Sequence, residues 1–350
     1  MRILRGGFLP ASLLILVAAA MVVPLPFFLE RPGMAVGLAD CVRIDHDEAT
    51  TVAGDYLLMT ISVAPASAVD ILAAAFDPQT LVIGQSRIVP QGVDPDAYFR
   101  QQREEFVSTA DVAAAVGLQA AGLPTQVTGD GVSVLQTVEG TPAAGVLEAG
   151  DIITEVNGDQ VTMADELPPA IAAVPIGDPI SLRVQRRGGV VDVDLAAVDA
   201  QGVPIIGIIP ETVNPRVTLP VAVDVASGAT GGPSAGLTIA LTVYDQVLPG
   251  VDLAAGRIIA GTGSINHEGR VGPIGGAGLK VLAAQEAGAS VFLVPAQNHA
   301  EAMAALPEGS SMDIVPVSTF EDARLALEDR RGSGDAAGAK ARPCPYDAAT

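Results

Sequence analysis

Ser234 lies in Gly231-Gly232-Pro233-Ser234-Ala235-Gly236, flanked on both sides by small residues. A serine held in such a turn between a strand and a helix is how several hydrolases expose a nucleophile, since small neighbours let a substrate backbone come close. Its hydroxyl needs a base. Downstream, Val271-Gly272-Pro273-Ile274-Gly275-Gly276-Ala277-Gly278-Leu279-Lys280 places a lone lysine just inside a helical pattern, with Val281 and Leu282 following. A lysine of ordinary pKa, about 10.4, is neutral in roughly one molecule in a few thousand at pH 7 and cannot serve as a base in that state. Apolar surroundings desolvate the ammonium and lower its pKa. Ser234 and Lys280 are thus candidates for nucleophile and general base. Gly232, Pro233 and Ala235 would admit the substrate, and the N–H groups at the start of the following helix would face a developing oxyanion.

The elements that must position these residues are legible as periodicity. Residues 221–225, 257–265 and 291–295 read as strands and 235–246 and 279–287 as helices, so the block from about 203 to 329 reads as α/β or α+β. Upstream, 132–138, 152–156, 180–185 and 190–195 are short β segments punctuated by glycine, a compact β-rich module. Before that, 56–63 reads as a strand and 96–116 as a helix.

Composition bounds the rest. With 350 residues, 49% hydrophobic, the chain can bury two cores. A net charge of -21 excludes nucleic acid and anionic lipid surfaces as electrostatic partners. Residues 6–29 contain no charge and follow Arg2 and Arg5, which predicts a single transmembrane helix with the remainder of the chain extracytoplasmic. Ala18-Ala19-Ala20 leaves a cleavable signal peptide as the rival reading, though the apolar run continues through Val22, Leu25, Phe27 and Phe28. Export admits a disulfide between Cys41 and Cys344, with two free thiols equally compatible with the sequence. No phosphate loop ending in Lys-Ser or Lys-Thr occurs, and no carboxylates share metal-ligand spacing with histidine or cysteine, so neither cofactor nor metal is expected.

Residues 140–161, Gly140-Thr141-Pro142-Ala143-Ala144-Gly145 through Gly150-Asp151-Ile152-Ile153 to Asn157-Gly158, resemble the core of bacterial PDZ domains. The resemblance implies a loop whose N–H groups meet a peptide's carboxylate while the peptide adds a strand, and Gly129, Asp130, Gly131 and Val132 occupy that place. Asp130 sets a negative charge where the carboxylate would arrive. Residues 228–236, then Ala260-Gly261-Thr262-Gly263-Ser264-Ile265, then 269–280 resemble, in order and spacing, the proteolytic domain of Lon proteases. That resemblance implies a Ser234–Lys280 dyad, with Thr262 helping to orient the lysine. Two positions depart from the family pattern: Gly231 stands where an acidic residue is common and Ser264 where glutamate is.

The expected organisation is α+β. Residues 1–30 form a cytoplasmic tip and transmembrane anchor, 31–111 an extracytoplasmic flank, 112–200 a PDZ-like domain, 201–330 a Lon-like proteolytic domain and 331–350 a flexible tail. Since the family has a strand ahead of its main motifs, 56–63 could supply it, with the PDZ-like module inserted into the protease domain. The expected activity is ATP-independent cleavage of unfolded or flexible exported and membrane proteins. The resemblance also implies a homo-oligomer, a hexameric ring among the forms. Two other readings compete. One is a PDZ scaffold with an inactive protease domain. The other is a Ser-His esterase, for which His267, in a hairpin-like Asn266-His267-Glu268-Gly269, and His299, at a helix start, are the histidines after Ser234.

Overall fold

The computed structural model describes residues 23–330, except 48, 91, 201, 202, 227 and 229, together with Cys344. Contacts divide the chain into two units, one drawn from the chain up to Pro124 and from Leu219 onward, the other Thr125–Thr218. The first opens with β1 (Phe27–Gly37), β2 (Val42–Ile44), β3 (Asp55–Pro65), α1 (Ala68–Ala74), β4 (Leu81–Gly84) and α2 (Pro95–Ala120). β1 pairs antiparallel with β3 on one side and β4 on the other, burying Phe28 and Leu29. The apolar character of residues 27–29 therefore serves a sheet, and a membrane helix cannot run to residue 30 as hydropathy suggests. Residues 1–22 of that run lie outside the described residues. No described helix is long and apolar enough to cross a membrane.

α2 starts where Asp94 accepts the Ala97 N–H, with Pro95 at the first helical position, where its missing donor costs nothing. It runs through the expected boundary at 111/112 and packs on a later helix of the same unit, so residues 31–111 are part of the first unit's core and not a separate flank.

The second unit contains β5 (Gln126–Thr128), β6 (Val132–Thr137), β7 (Ile152–Val156), β8 (Asp159–Gln160), α3 (Leu167–Ala172), β9 (Pro179–Arg186), β10 (Gly189–Ala196), β11 (Val198–Ala200), β12 (Val203–Ile205), β13 (Ile208–Thr212) and β14 (Arg216–Thr218). Its main sheet has the order β10-β9-β7-β6-β13. Along β9 the alternate residues Ile180, Leu182 and Val184 are buried, the two-residue period of a half-buried strand, against Val134, Ile153, Leu167 and Ile171. The unit extends past residue 200 because β13 completes the sheet and β14 pairs back to β5.

The chain then returns to the first unit with β15 (Val223–Val225), α4 (Gly236–Val247), β16 (Ile258–Gly261), β17 (Ser264–Ile265), β18 (Val271–Gly272), α5 (Ala277–Ala287), β19 (Val291–Pro295), α6 (His299–Ala305), β20 (Asp313–Val317) and α7 (Phe320–Asp329). Its six-stranded sheet has the order β20-β19-β16-β3-β1-β4. β16 runs parallel to both β3 and β19, so the early strand joins the sheet that carries the downstream motifs. The sequence of the second unit thus interrupts that of the first. The strand expected over 257–265 breaks at Thr262-Gly263, where Gly263 has φ 155° and a Cβ would stand 2.7 Å from Val271 Cγ1.

Every residue of α4 is buried. α2 can press on it because Gly117 has no side chain: a Cβ there would lie 2.5 Å from Ala240 O and 2.9 Å from Val243 Cβ.

Cys41 and Cys344 form a disulfide with Cα atoms 5.2 Å apart across 303 positions of sequence. Of the expected flexible tail, only Cys344 is among the described residues. Cross-linking so distant a pair restricts the unfolded chain strongly. Cys41→Ser with Cys344→Ser is expected to cost about 2–4 kcal/mol, read as a lower urea midpoint with a steeper slope, because the released unfolded chain exposes more surface.

Candidate active site

Gly232 has φ 84°, a left-handed conformation that suits glycine, and its N–H donates to Gln102 O of α2 at 2.7 Å. This pins the loop just before Pro233 and Ser234. α4 begins two residues later at Gly236, where a Cβ would come within 2.8 Å of Ile265 Cγ2, so only glycine lets the helix start press on β17. The Ser234 carbonyl accepts from Gly263 N at 2.8 Å and from Thr262 Oγ1 at 3.1 Å. The backbone at the serine is thereby tied to the end of β16.

Lys280 comes from the first turn of α5, whose N-cap Gly276 has φ 67°. The loop leading into that helix is clamped by α6 and the residue before it. Asn298 Oδ1 accepts the Ile274 N–H and Asn298 Nδ2 donates to Ile274 O, both at 2.9 Å, while Glu301 Oε1 accepts the Gly278 N–H at 3.1 Å.

The Lys280 side chain is 3% exposed. Its Nζ lies 2.7 Å from Ser234 Oγ and 3.0 Å from the fully buried Thr262 Oγ1. Burial drives its pKa from the ordinary 10.5 down to about 8, with the negative charge of Glu301 working in the opposite direction. At pH 7 roughly one lysine in ten is then neutral, against one in a few thousand for a solvated one. In the charged form Nζ donates to Oγ; in the neutral form the same contact lets Oγ–H donate to the Nζ lone pair, which is how a base activates a nucleophile.

Thr262 Oγ1 accepts from Lys280 and donates to the Ser234 carbonyl, linking both groups through one hydroxyl. Thr262→Val keeps the shape and deletes both bonds. We expect kcat to fall roughly 10–100-fold with KM little changed, measured by steady-state peptide hydrolysis.

The structure brings Ser234, Lys280 and Thr262 together, with Gly232, Pro233 and Ala235 around the serine. It does not do so for the expected peptide-binding loop. β6, which starts at Val132, is an interior strand paired on one side with β7 and on the other with β13. The Asp130 N–H donates to Val213 O and the Gly131 N–H to Thr162 O, so the amides that would hold a carboxylate are already engaged. Asp130 itself is occupied by Arg216 and Asn214. Among the described residues the edge of this sheet next to β6 is β13.

The two departures from the family pattern have local settings. A Cβ at Gly231 would sit 3.2 Å from Gln102 C and Cβ, where α2 crowds the loop, and Ser264 faces Gly272 across the β17–β18 hairpin. His267 lies in the turn of that hairpin and His299 opens α6, whereas the group on Ser234 Oγ is the Lys280 amine. Asn298 and Glu301 escaped sequence reasoning; their three-residue spacing, which puts them on neighbouring turns, was the available signal.

Residues 211–327 match the family model of the Lon protease (S16) C-terminal proteolytic domain, and residues 117–196 match that of the PDZ domain. The Lon protease of Azorhizobium caulinodans is 40% identical over 104 residues, which are 29% of this chain and 12% of that protein. The Lon protease of Mycolicibacterium smegmatis is 34% identical over 143 residues, 38% of this chain and 17% of that protein. The chain therefore spans only 12% to 17% of the length of these curated relatives. The crystal structure of the PDZ domain of the SdrC-like protein from Listeria innocua is 35% identical, covering 23% of this chain and 93% of that chain with a TM-score of 0.22. Motifs and matches fall on the same residues, and the chain combines a PDZ domain with a Lon-type proteolytic domain.

Proposed function

We propose that this protein is a serine endopeptidase that uses Ser234 as nucleophile and Lys280 as general base, acts without ATP on unfolded or flexible segments, and is tethered to a membrane by its uncharged N-terminal run. The observation that carries the proposal is the 2.7 Å contact between Lys280 Nζ and Ser234 Oγ in a buried setting that favours the neutral amine. The likeness to Lon proteolytic domains supports a serine protease.

In the proposed reaction Lys280 takes the hydroxyl proton as Ser234 Oγ bonds to the substrate carbonyl carbon. The oxyanion forms beside the N-terminal end of α4, where helix N–H groups and dipole stabilise negative charge. The lysine ammonium then protonates the departing amine, leaving an acyl group on Ser234. Water, deprotonated by Lys280, releases it. Thr262 holds the lysine on line throughout. The 350 residues hold no phosphate-binding loop of the Walker type, so unfolding of folded substrates is not part of the reading. The PDZ domain would select substrates by strand addition at β13, the edge next to β6.

Incubation of the full chain with casein, an unstructured substrate, tests this. Fragments formed equally with and without ATP, while a tightly folded control protein survives, are the expected result; intact casein in both cases would sink the proposal.

A further inference from the structure

α1 packs one side, Ile71 and Ala74, onto Leu29 and Ala66. The opposite side carries Val69 and Leu72, with Phe76 one turn further on, and these are exposed: Leu72 is 67% and Phe76 86% accessible. At spacings of three and four residues they form one apolar stripe. The stripe is continuous with other exposed apolar residues. Leu25 N donates to Ala66 O and Ala66 N to Phe27 O, which ties exposed Leu25 and Phe27 to the start of α1. Val82, also exposed, lies on the edge strand β4 opposite Leu29 and so on the face of the sheet that α1 covers. Large apolar side chains exposed side by side and rimmed by polar groups mark a contact site. The rim is satisfied locally: Asp70 accepts from Ser67, Asp77 from Thr80, and Arg31 donates to Thr80.

What covers the stripe is indicated by where the chain comes from. The uncharged run of residues 6–29 reaches the described residues at Val23, and within it Val23, Leu25 and Phe27 are exposed, Leu25 and Phe27 being bonded to Ala66 just ahead of α1. We propose that the outward face of α1, with Phe76, Leu72 and Val69, together with the edge of β4, lies against the lipid surface from which the N-terminal run emerges. The proposal rests on the membrane-tether reading. It commits to lipid because one boundary then covers both the run and the stripe, with no additional partner. Lipid contact would be apolar, since the stripe adds no cluster of basic residues for anionic headgroups.

The chain contains no tryptophan, so an introduced indole reports alone. Full-length Phe76→Trp is reconstituted into phosphatidylcholine vesicles with plain or brominated acyl chains, next to Leu325→Trp on α7, which follows the strand at the far edge of the same sheet. Expected are co-flotation of both variants, blue-shifted emission and roughly twofold or greater bromine quenching for Phe76→Trp, and neither for Leu325→Trp, since apolar faces of interfacial helices sit about 5–10 Å deep. Co-flotation with an unquenched, water-like emission from Phe76→Trp overturns the lipid contact and leaves the tether standing. A chain that does not float overturns both. Blue-shifted emission without bromine quenching assigns the stripe to a second copy or another protein and overturns lipid as its occupant.

Discussion

Lys280→Met is expected to lose hydrolysis by roughly 10⁴-fold while changing the pH dependence of folding in the opposite sense to an ordinary damaging substitution. The charged ammonium is the disfavoured form in the buried site, so the folded protein binds its proton more weakly than the unfolded chain does, with a pKa of about 8 against 10.5. Between those values the unfolded state holds more protons, and stability must rise with pH across that window. A depression of this size corresponds to about 3 kcal/mol, carried in full as a penalty below pH 8 and gone above pH 10.5. The methionine variant has no such penalty. Urea unfolding at a series of pH values should show the wild type gaining about 3 kcal/mol on the variant as pH climbs through the window, and parallel curves would show that Lys280 is not buried as a destabilised cation.

The second large effect is the pH profile of catalysis. A base that must be neutral gives kcat/KM rising about tenfold per pH unit until the lysine pKa and levelling above it, so the limb should turn near pH 8. Glu301 favours the ammonium, and Glu301→Gln removes that charge while its amide oxygen can still accept the Gly278 N–H. The turning point should therefore move to lower pH, with activity at pH 6 rising relative to the plateau. The lysine can be watched directly: the chain has two lysines, Lys280 and Lys340, so side-chain NMR of labelled lysine gives two resonances, of which Lys280 should titrate near the kinetic turning point. An unmoved limb in Glu301→Gln would show that Glu301 only braces the loop.

The dyad was legible because glycine-rich motifs carry their own geometry: a serine ahead of a helix and a lysine one turn into another need only the sheet between them. β9 followed from a two-residue period that burial then confirmed, β19 from a continuous apolar run that is buried throughout, and α5 from its helical pattern. β1 was misread because hydropathy does not distinguish a strand buried by two neighbours from a membrane run; Phe28 and Leu29 are apolar for β3, β4 and α1. The Gly129–Val132 loop failed for a reason no local pattern shows, namely that β13, remote in sequence, occupies the edge of β6. Asn298 grips Ile274 across 24 residues and Cys41 meets Cys344 across 303, distances at which a single sequence carries no pairing signal.

The most direct test of the central claim is cleavage of an unstructured protein without ATP by the full chain, by Ser234→Ala and by Lys280→Met, at pH 8 and with folding of each variant verified. Fragments are expected from the wild type and none from either variant. Cleavage by Lys280→Met at the wild-type rate would contradict the claim, because Ser234 would then have another base.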